Sequence, residues 1–250
     1  MNNSYSSLCD GFCLEMHVNT ELDLPGERDT VLSFFERIQK QFPAMDNFYR
    51  KNNGDFCLEE VRDGERYRWV TLEIDRIWAG CADPVDLDDA YFLQHAVLDL
   101  APYMLGVSKL DICSMDISFT MDFDYRGNHD EVVAEAIMSG SAFNSMLDIE
   151  GSKAIGFSPS VVIALSEDSR TQARIAVESQ TSFSDFRSEK YKSDDPISLY
   201  FTVRRYPVRS DSFDAKKSFI QQCKIAEDLM AEKIIPNFAQ PITNAIAQRR

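Results

Sequence analysis

The feature that most constrains the fold is a strand–turn–helix pattern that occurs twice in the chain. Residues 116–133 read DISFTMDFDYRGNHDEVV, in which apolar and polar side chains alternate before a glycine turn and a helix start. Alternation with a period of two is typical of a strand that buries one face. Residues 15–32 read EMHVNTELDLPGERDTVL and repeat this order 101 positions earlier. Four positions match, because Asp23, Gly26, Asp29 and Val31 correspond to Asp124, Gly127, Asp130 and Val132. The sequence therefore predicts a duplicated unit.

The first half predicts the order strand, helix, three strands, helix. Residues 44–55 are rich in Asn and predict a loop, and Asp63-Gly64 predicts a hairpin turn because Gly supplies the positive φ that such turns need. The predicted elements are a strand at Phe12–Leu24, a helix over 28–41, strands at Phe56–Arg62, Tyr67–Ile74 and Arg76–Cys81, and a helix at Leu87–Tyr103.

The second half repeats the order with a longer final helix. The apolar run 161–165 predicts a buried strand, residues 183–196 predict a charged loop, and Pro236 is expected to end the last helix. Asp89-Ala90 aligns with Asp214-Ala215, and Asp211 or Asp214 is expected to open that helix. The predicted elements are strands at Leu110–Asp124, Ile155–Ser166, Gln172–Thr181 and Ser198–Tyr206, a helix from Asn128 to Gly140, and a helix at Phe213–Ile235.

These elements predict an α+β fold in which a mostly antiparallel, curved sheet carries its helices on one face. The order is similar to that of the saddle-shaped fold of the TATA-binding protein, and to that of the helix-grip fold. Neither similarity implies a function. The first repeat is expected at 12–105 and the second at 109–240, with tails at 1–11 and 241–250.

Two stretches carry a family resemblance. The strand motif YRWVTL at 67–72, followed by Asp75-Arg76-Ile77, and the segment 116–124 leading into Gly127 resemble a sporadically distributed family of uncharacterised bacterial proteins of similar length. The resemblance spans most of the chain. It implies no assigned activity, and so no catalytic residue.

The charge of the chain restricts its partners. The 250 residues include 41 acidic and 26 basic side chains, for a net charge of −15. Binding to nucleic acid or to an anionic membrane needs a concentrated basic surface, which this composition disfavours. A basic protein or peptide, or a cation, is the partner that the charge favours. The N-terminus lacks the features of a signal peptide, and no window approaches 18 apolar residues, so a cytoplasmic location is expected.

Motifs for metals, cofactors and catalysis are not evident. Cys9 and Cys13 form a C-x3-C pair, but no second close pair accompanies them, as structural zinc sites usually require. No metal and no cofactor are therefore expected. His129-Asp130 stands at a predicted helix start, where it could act in acid–base chemistry or simply cap the helix. The capping interpretation is favoured, because residues of this type are common at helix N-termini.

The candidate site is the polar face of the two repeated strands. Its residues are Glu15, His17, Glu21 and Asp23 from the first copy and Asp116, Asp122 and Asp124 from the second. One interpretation is an acidic surface that binds a basic partner. The other is a solvated face whose carboxylates are neutralised by cross-strand arginines, namely Arg68, Arg76, Arg174 and Arg204.

The function expected from these observations is non-catalytic binding of a partner, through the sheet face or a terminal helix. The alternative is a small-ligand-binding protein or an enzyme, with an enclosed apolar cavity between the curved sheet and the long last helix.

Overall fold

All strands of the described chain form one continuous antiparallel sheet. The computed structural model describes residues 5, 7–62, 66–179, 181–188, 190–191, 195–208 and 213–249. The predicted hairpin turn Asp63-Gly64 and the candidate helix start Asp211 lie outside these residues. The strands are β1 (Gly11–Thr20), β2 (Met45–Arg50), β3 (Phe56–Glu60), β4 (Tyr67–Leu72), β5 (Arg76–Ala82), β6 (Ile112–Phe123), β7 (Ser160–Ala164), β8 (Thr171–Glu178) and β9 (Ile197–Arg205).

The helices follow the predicted order, with two short additions. The helices are α1 (Arg28–Gln41), α2 (Leu87–Met104), α3 (His129–Met138), α4 (Asn144–Leu147), α5 (Phe183–Ser188) and α6 (Ala215–Leu229), followed by a π-helical segment (Met230–Ala239) and α7 (Gln240–Ala247). Among the described residues, no helix is both long and apolar enough to cross a membrane.

The sheet is arranged symmetrically about its two central strands. Its order is β2-β3-β4-β5-β1-β6-β9-β8-β7, and every neighbouring pair is antiparallel. Strand β5, the last of the first half, pairs with β1, and β9, the last of the second half, pairs with β6. Strands β4 and β3 then follow outward in the first half, and β8 and β7 follow outward in the second. The α+β class, the antiparallel pairing and the curved sheet are therefore confirmed. That the halves arose by duplication stays a prediction.

One face of the central strands forms the core. Phe12, Leu14, Met16 and Val18 of β1 alternate with partly exposed neighbours and are themselves buried. Helix α1 buries its apolar stripe in the same core: Val31, Phe34, Phe35 and Ile38. Burial of each such side chain contributes about 1.5–3 kcal/mol to folding. The helices therefore cover one face of the central strands and leave the other face open.

The two helices beside the central strands are joined to them in the same way. The amide of Gln94 in α2 donates to the carbonyl of Leu14 at 3.4 Å, and that of Gln222 in α6 donates to the carbonyl of Met115 at 2.8 Å. Leu14 and Met115 are 101 positions apart, as the strand pattern predicts. Gln94 and Gln222 are 128 positions apart.

The helix caps correct the sequence alignment of these two helices. The carboxylate of Asp86 accepts from the amide of Asp89, and that of Asp214 accepts from the amide of Lys217. Asp86 and Asp214 are also 128 positions apart. The equivalent of Asp214 is therefore Asp86, and the alignment with Asp89 was wrong by one helical turn.

Two segments predicted as loops contain regular structure. Strand β2 lies within 44–55, and the short helix α5 lies within 183–196. Strand β2 shows no clear alternation because it is an edge strand with mostly exposed side chains. Its polar sequence, MDNFYR, therefore resembles that of a loop.

Two further expectations were wrong. Strand β7 was predicted to be buried, but all five of its residues are exposed because it is the outermost strand. The last helix was expected to end before Pro236, but it continues through a π-helical segment. The wider π turn gives the proline ring room, and the side-chain amide of Asn237 donates to the carbonyl of Lys233 at 2.7 Å.

Candidate functional site

The open face of the sheet carries a continuous row of polar side chains. In β1, the residues that alternate with the buried set include Glu15 and His17. His17 lies opposite Asp116 of β6, which in turn lies opposite Arg204 of β9. Side chains of directly opposed residues share one face of a sheet. The pairing register therefore aligns these three groups across the centre of the molecule.

The curvature of the sheet turns this row into a pocket of about 330 Å³. Its lining includes Arg76 of β5 at one side and Val162 of β7 at the other. In a flat sheet these two strands would lie about 24 Å apart, which a pocket of this size cannot span. Bending of the sheet, together with the reach of the arginine side chain, brings both to one concavity.

Arginines outnumber carboxylates in this pocket. Arg76, Arg174 and Arg204 line it together with Glu15 and Asp116. His17, Gln172 and Tyr200 complete the larger polar and aromatic groups. The hydroxyls of Ser118 and Thr202 lie 2.8 Å apart and form a hydrogen bond within the pocket.

The three arginines differ in their partners. Arg204 binds Asp116 with two hydrogen bonds, Nε to Oδ1 at 2.7 Å and Nη2 to Oδ2 at 2.6 Å. The Nε of Arg76 donates to the side-chain oxygen of Asn19 at 2.7 Å, and its Nη1 pairs with the carboxylate of Glu73 at 3.4 Å. Arg174 is exposed, and within the described part of the chain it has no hydrogen bond or ion pair. One guanidinium of the pocket is thus available to a ligand.

Burial shifts the pKa values of Glu15 and His17 in opposite directions. Burial raises the pKa of Glu15 to about 7, an effect that the Trp78 indole partly offsets. Burial lowers the pKa of His17 to about 4; Arg76 and Arg204 lower it further, and Asp116 opposes them. At neutral pH His17 is therefore uncharged and Glu15 is only partly ionised. The pocket carries net positive charge in a chain whose net charge is −15.

A wall of aromatic rings borders the pocket. The ring of Trp78 is stacked on that of His17, with centroids 5.6 Å apart, and contacts Trp69 edge-on at 5.8 Å. Tyr67 continues the row, with its ring centroid 5.1 Å from that of Trp69. A Cβ on Gly80 would lie 2.1 Å from Cζ2 of Trp69, so only glycine leaves space for this indole. The alternation of side chains along β4 and β5 puts Trp69 and Trp78 on the face of the sheet that carries His17. This alternation could have identified the wall from the sequence, but the predicted site did not include these residues.

The structure brings together some of the predicted site residues and separates others. Glu15, His17 and Asp116 line the pocket. Asp122 lies on the same face, accepts a hydrogen bond from Ser198 Oγ at 2.5 Å, and has its pKa raised by burial. The other three predicted acids lie beyond the strand ends, where they are exposed: Glu21, Asp23 and Asp124.

The arginines predicted to neutralise the acidic face do not all lie on that face. Arg204 pairs with Asp116 as that interpretation predicts. Arg68 instead pairs with Glu60 at 2.7 Å and with Asp89 of α2, so it lies on the helix side of the sheet. The parity of Arg68 within β4 places it on the opposite face from Trp69.

His129 and Asp130 hold a loop in place. The Nε2 of His129 contacts the carbonyl of Tyr125 at 2.7 Å. Asp130 accepts hydrogen bonds from the amide of Phe157 at 2.8 Å and from Ser179 Oγ at 2.6 Å. Both residues are buried. The side-chain cap of α3 is instead supplied by Asn128, whose Oδ1 accepts from the amide of Glu131. The capping interpretation therefore does not hold for His129 and Asp130, whose side chains bind the neighbouring loops.

The thiols of the chain form no disulfide, and burial disfavours the thiolate form of several of them. All six cysteines are free, and burial raises the pKa of the Cys81 thiol to about 12. Within the described residues, no three His, Cys, Asp or Glu side chains are grouped so as to hold a metal ion.

A second concavity lies between two helices on the other side of the molecule. The groove between α2 and α6 has a volume of about 470 Å³, and its floor includes Tyr91 and Phe219. Asp88, Glu227 and Asp228 contribute acidic groups to its lining, which also contains Lys224. This groove is therefore apolar inside and mostly acidic at its edge.

Comparison of the chain with protein-family models, with curated proteins and with solved structures found no match. The geometry of the sheet pocket and of the helix groove is therefore the basis for the function.

Proposed function

We propose that the protein is a non-catalytic binding protein that holds a small organic anion in the concave pocket of its sheet. The observation that carries this proposal is the convergence of Arg76, Arg174 and Arg204 from three strands in a strongly acidic chain. Guanidinium groups bind carboxylates and phosphates with paired hydrogen bonds, and Arg174 has such donors available.

The pocket also limits the size and shape of the ligand. A volume of about 330 Å³ is at the lower end of the range for small-molecule sites. Tyr200 and His17 offer flat ring surfaces, and Ser118 and Thr202 offer hydroxyl groups. The best fit is a compact anion that has one carboxylate or phosphate and a planar or hydroxylated body.

Binding of simple anions tests this proposal. We expect benzoate or phenyl phosphate to bind the wild type in isothermal titration calorimetry, and Arg174→Gln to weaken that binding about tenfold or more, because a charge-assisted hydrogen bond contributes about 1.5–3 kcal/mol. The matched control is Arg37→Gln, which removes the same charge from an exposed position on α1. Absence of binding by the wild type, or equal weakening by the control, would overturn the proposal.

The location differs from the cavity expected beside the last helix. The inner side of α6 is filled by Phe219, Cys223 and Ala226, which are buried in the core. The pocket lies on the opposite face of the sheet. We therefore propose small-ligand binding in the sheet pocket and not in a cavity beside the last helix.

The groove between α2 and α6 supports a second candidate function, the binding of a basic partner. Phe92 and Ile220 are 59% and 58% exposed beside it, and its lining carries three carboxylates against Lys224. This combination fits an amphipathic helix whose apolar side enters the groove and whose lysines face the acids.

A model peptide tests the groove. We expect a fluorescent amphipathic Leu/Lys helix to bind the wild type and to lose most of its affinity for Ile220→Glu, measured by fluorescence anisotropy. Ile74→Glu is the control, because Ile74 is similarly exposed but lies outside the groove. Equal binding by both variants would rule out the groove as the site.

A further inference from the structure

The outermost strand β7 presents an unusually apolar free edge. Val161, Val162 and Ile163 are 54%, 58% and 52% exposed, in a strand that contains no charged residue. Val162 lines the sheet pocket. Val161 and Ile163 therefore point to the opposite face, where their exposure shows that the helices do not cover them. An exposed apolar edge strand is a template for pairing with another strand.

The hydrogen-bonding pattern defines which backbone groups are available. The amide of Leu165 donates to the carbonyl of Thr171, and that of Val177 donates to the carbonyl of Pro159. In an antiparallel pair, alternate residues bond to the neighbour. The odd-numbered residues of β7 thus face β8. The N–H and C=O groups of Ser160, Val162 and Ala164 point outward, and no described residue bonds to them.

The other half of the molecule shows what such an edge normally carries. Strand β3 is the counterpart of β7 in the symmetric order, and it is covered by β2. Strand β2 in turn bears Asp46 and Arg50, charges of the kind that protect natural edges from pairing. Among the described strands none covers β7, which lacks such protection.

We propose that β7 pairs with β7 of a second copy of this chain, antiparallel and about a twofold axis at Val162. Because only even-numbered residues face outward, they must pair with one another. Centring on Val162 places Ser160 opposite the partner's Ala164, and Val161 opposite the partner's Ile163. All outward groups of the strand then find partners, which gives about six backbone hydrogen bonds.

Two features favour a second copy over a foreign strand as the occupant. The segment SVVIA is uncharged and self-complementary in this register, so an isologous contact satisfies every outward group at once. Because each copy has a net charge of −15, a contact between two copies requires a strand without acidic side chains, and β7 has none.

The assembly has two structural consequences. The paired edges join two nine-stranded sheets into one of eighteen strands. Since Val162 lines the pocket, the two pockets lie beside the twofold axis. A five-residue contact buries little area, so the dimer forms reversibly with concentration.

A proline at the symmetry position tests the pairing. The N–H of Val162 faces outward, so Val162→Pro leaves the bonds to β8 intact but blocks the contact between copies. We expect sedimentation velocity at increasing concentration to show a monomer–dimer equilibrium for the wild type and for the control Val162→Thr, which keeps the N–H and the branched shape. Val162→Pro should remain monomeric with an unchanged circular dichroism spectrum.

A second variant covers the case in which the proline disturbs β7 itself. Val161→Lys combined with Ile163→Lys places lysines opposite one another across the axis, at positions exposed in the monomer. This double variant should also be monomeric. A wild type that stays monomeric at all concentrations, or a dimer that survives the double substitution, would refute the inference.

Discussion

At the residue scale, burial decides the chemistry of the pocket. Glu15 and His17 stand on the same face of β1, and burial disfavours the charged form of each. The carboxyl therefore keeps its proton to higher pH, while the imidazole loses its proton at lower pH. Both effects reduce the local charge, which leaves the arginines to dominate.

The raised pKa of Glu15 predicts a pH-dependent stability. The folded-state pKa is about 7 and the ordinary value is 4.5, so the folded state binds the proton more tightly. The contribution of Glu15 therefore lowers the free energy of unfolding as pH rises from 4.5 to about 7, and lowers it no further above that pH. We expect the free energy of unfolding of Glu15→Gln to exceed that of the wild type by roughly 3 kcal/mol at pH 8, since one pKa unit is about 1.4 kcal/mol. Near pH 4 the two free energies should be equal.

Urea denaturation at both pH values measures this difference. The control is Glu36→Gln, an exposed acid on α1, for which no comparable gain is expected. A gain for Glu15→Gln that is equal at both pH values would contradict burial as the cause.

At the element scale, two glutamines fasten helices to the centre of the sheet. Gln222 donates to the carbonyls of Met115 and Val203 at 2.8 and 2.9 Å, and it is fully buried. Gln94 occupies the equivalent place in the first half. A buried amide at this position sets the rotation of the helix on the sheet, because an apolar side chain would leave strand carbonyls without donors.

Gln222→Leu should lower the free energy of unfolding by about 2–3 kcal/mol, the cost of carbonyls that lose their donor. Gln221→Leu is the matched control, because the neighbouring Gln221 is exposed and should change stability by less than about 0.5 kcal/mol. Chemical denaturation of the two variants measures both values. Equal losses would show that the Gln222 hydrogen bonds do not stabilise the fold.

At the scale of the whole molecule, the two halves are joined by the pairing of β1 with β6. Ten residue pairs, from Gly11 with Asp122 to Thr20 with Ile112, connect them. The core runs without interruption beneath both strands. The sheet pocket draws on both halves, since Glu15 and Arg76 come from the first and Arg174 and Arg204 from the second.

Much of the architecture could be predicted because strand and helix periodicities are local. The alternation at 12–20 and 112–123 identified the two central strands, and the stripe of Val31, Phe34, Phe35 and Ile38 identified α1. Edge strands were less accessible. Strand β2 lacks an apolar face and was therefore predicted as a loop. Strand β7 is apolar and was therefore predicted to be buried, although it is exposed.

The candidate site could be predicted only in part. The residues that flank the strand centres, Glu15, His17 and Asp116, do meet on one surface. Glu21, Asp23 and Asp124 do not, because their strands end before them. The alternation in sequence continues past those ends, so it could not show where hydrogen-bonded pairing stops.

The sequence by itself determined the class of the fold, the order of its main elements and the open polar face of its central strands. These depend on the spacing of apolar side chains along short stretches of chain. Only the tertiary structure decided that Arg76, Arg174 and Arg204 converge, that the pocket is positive in an acidic chain, and that β7 has a free edge. Those properties depend on register and curvature, which arise from contacts between residues distant in sequence.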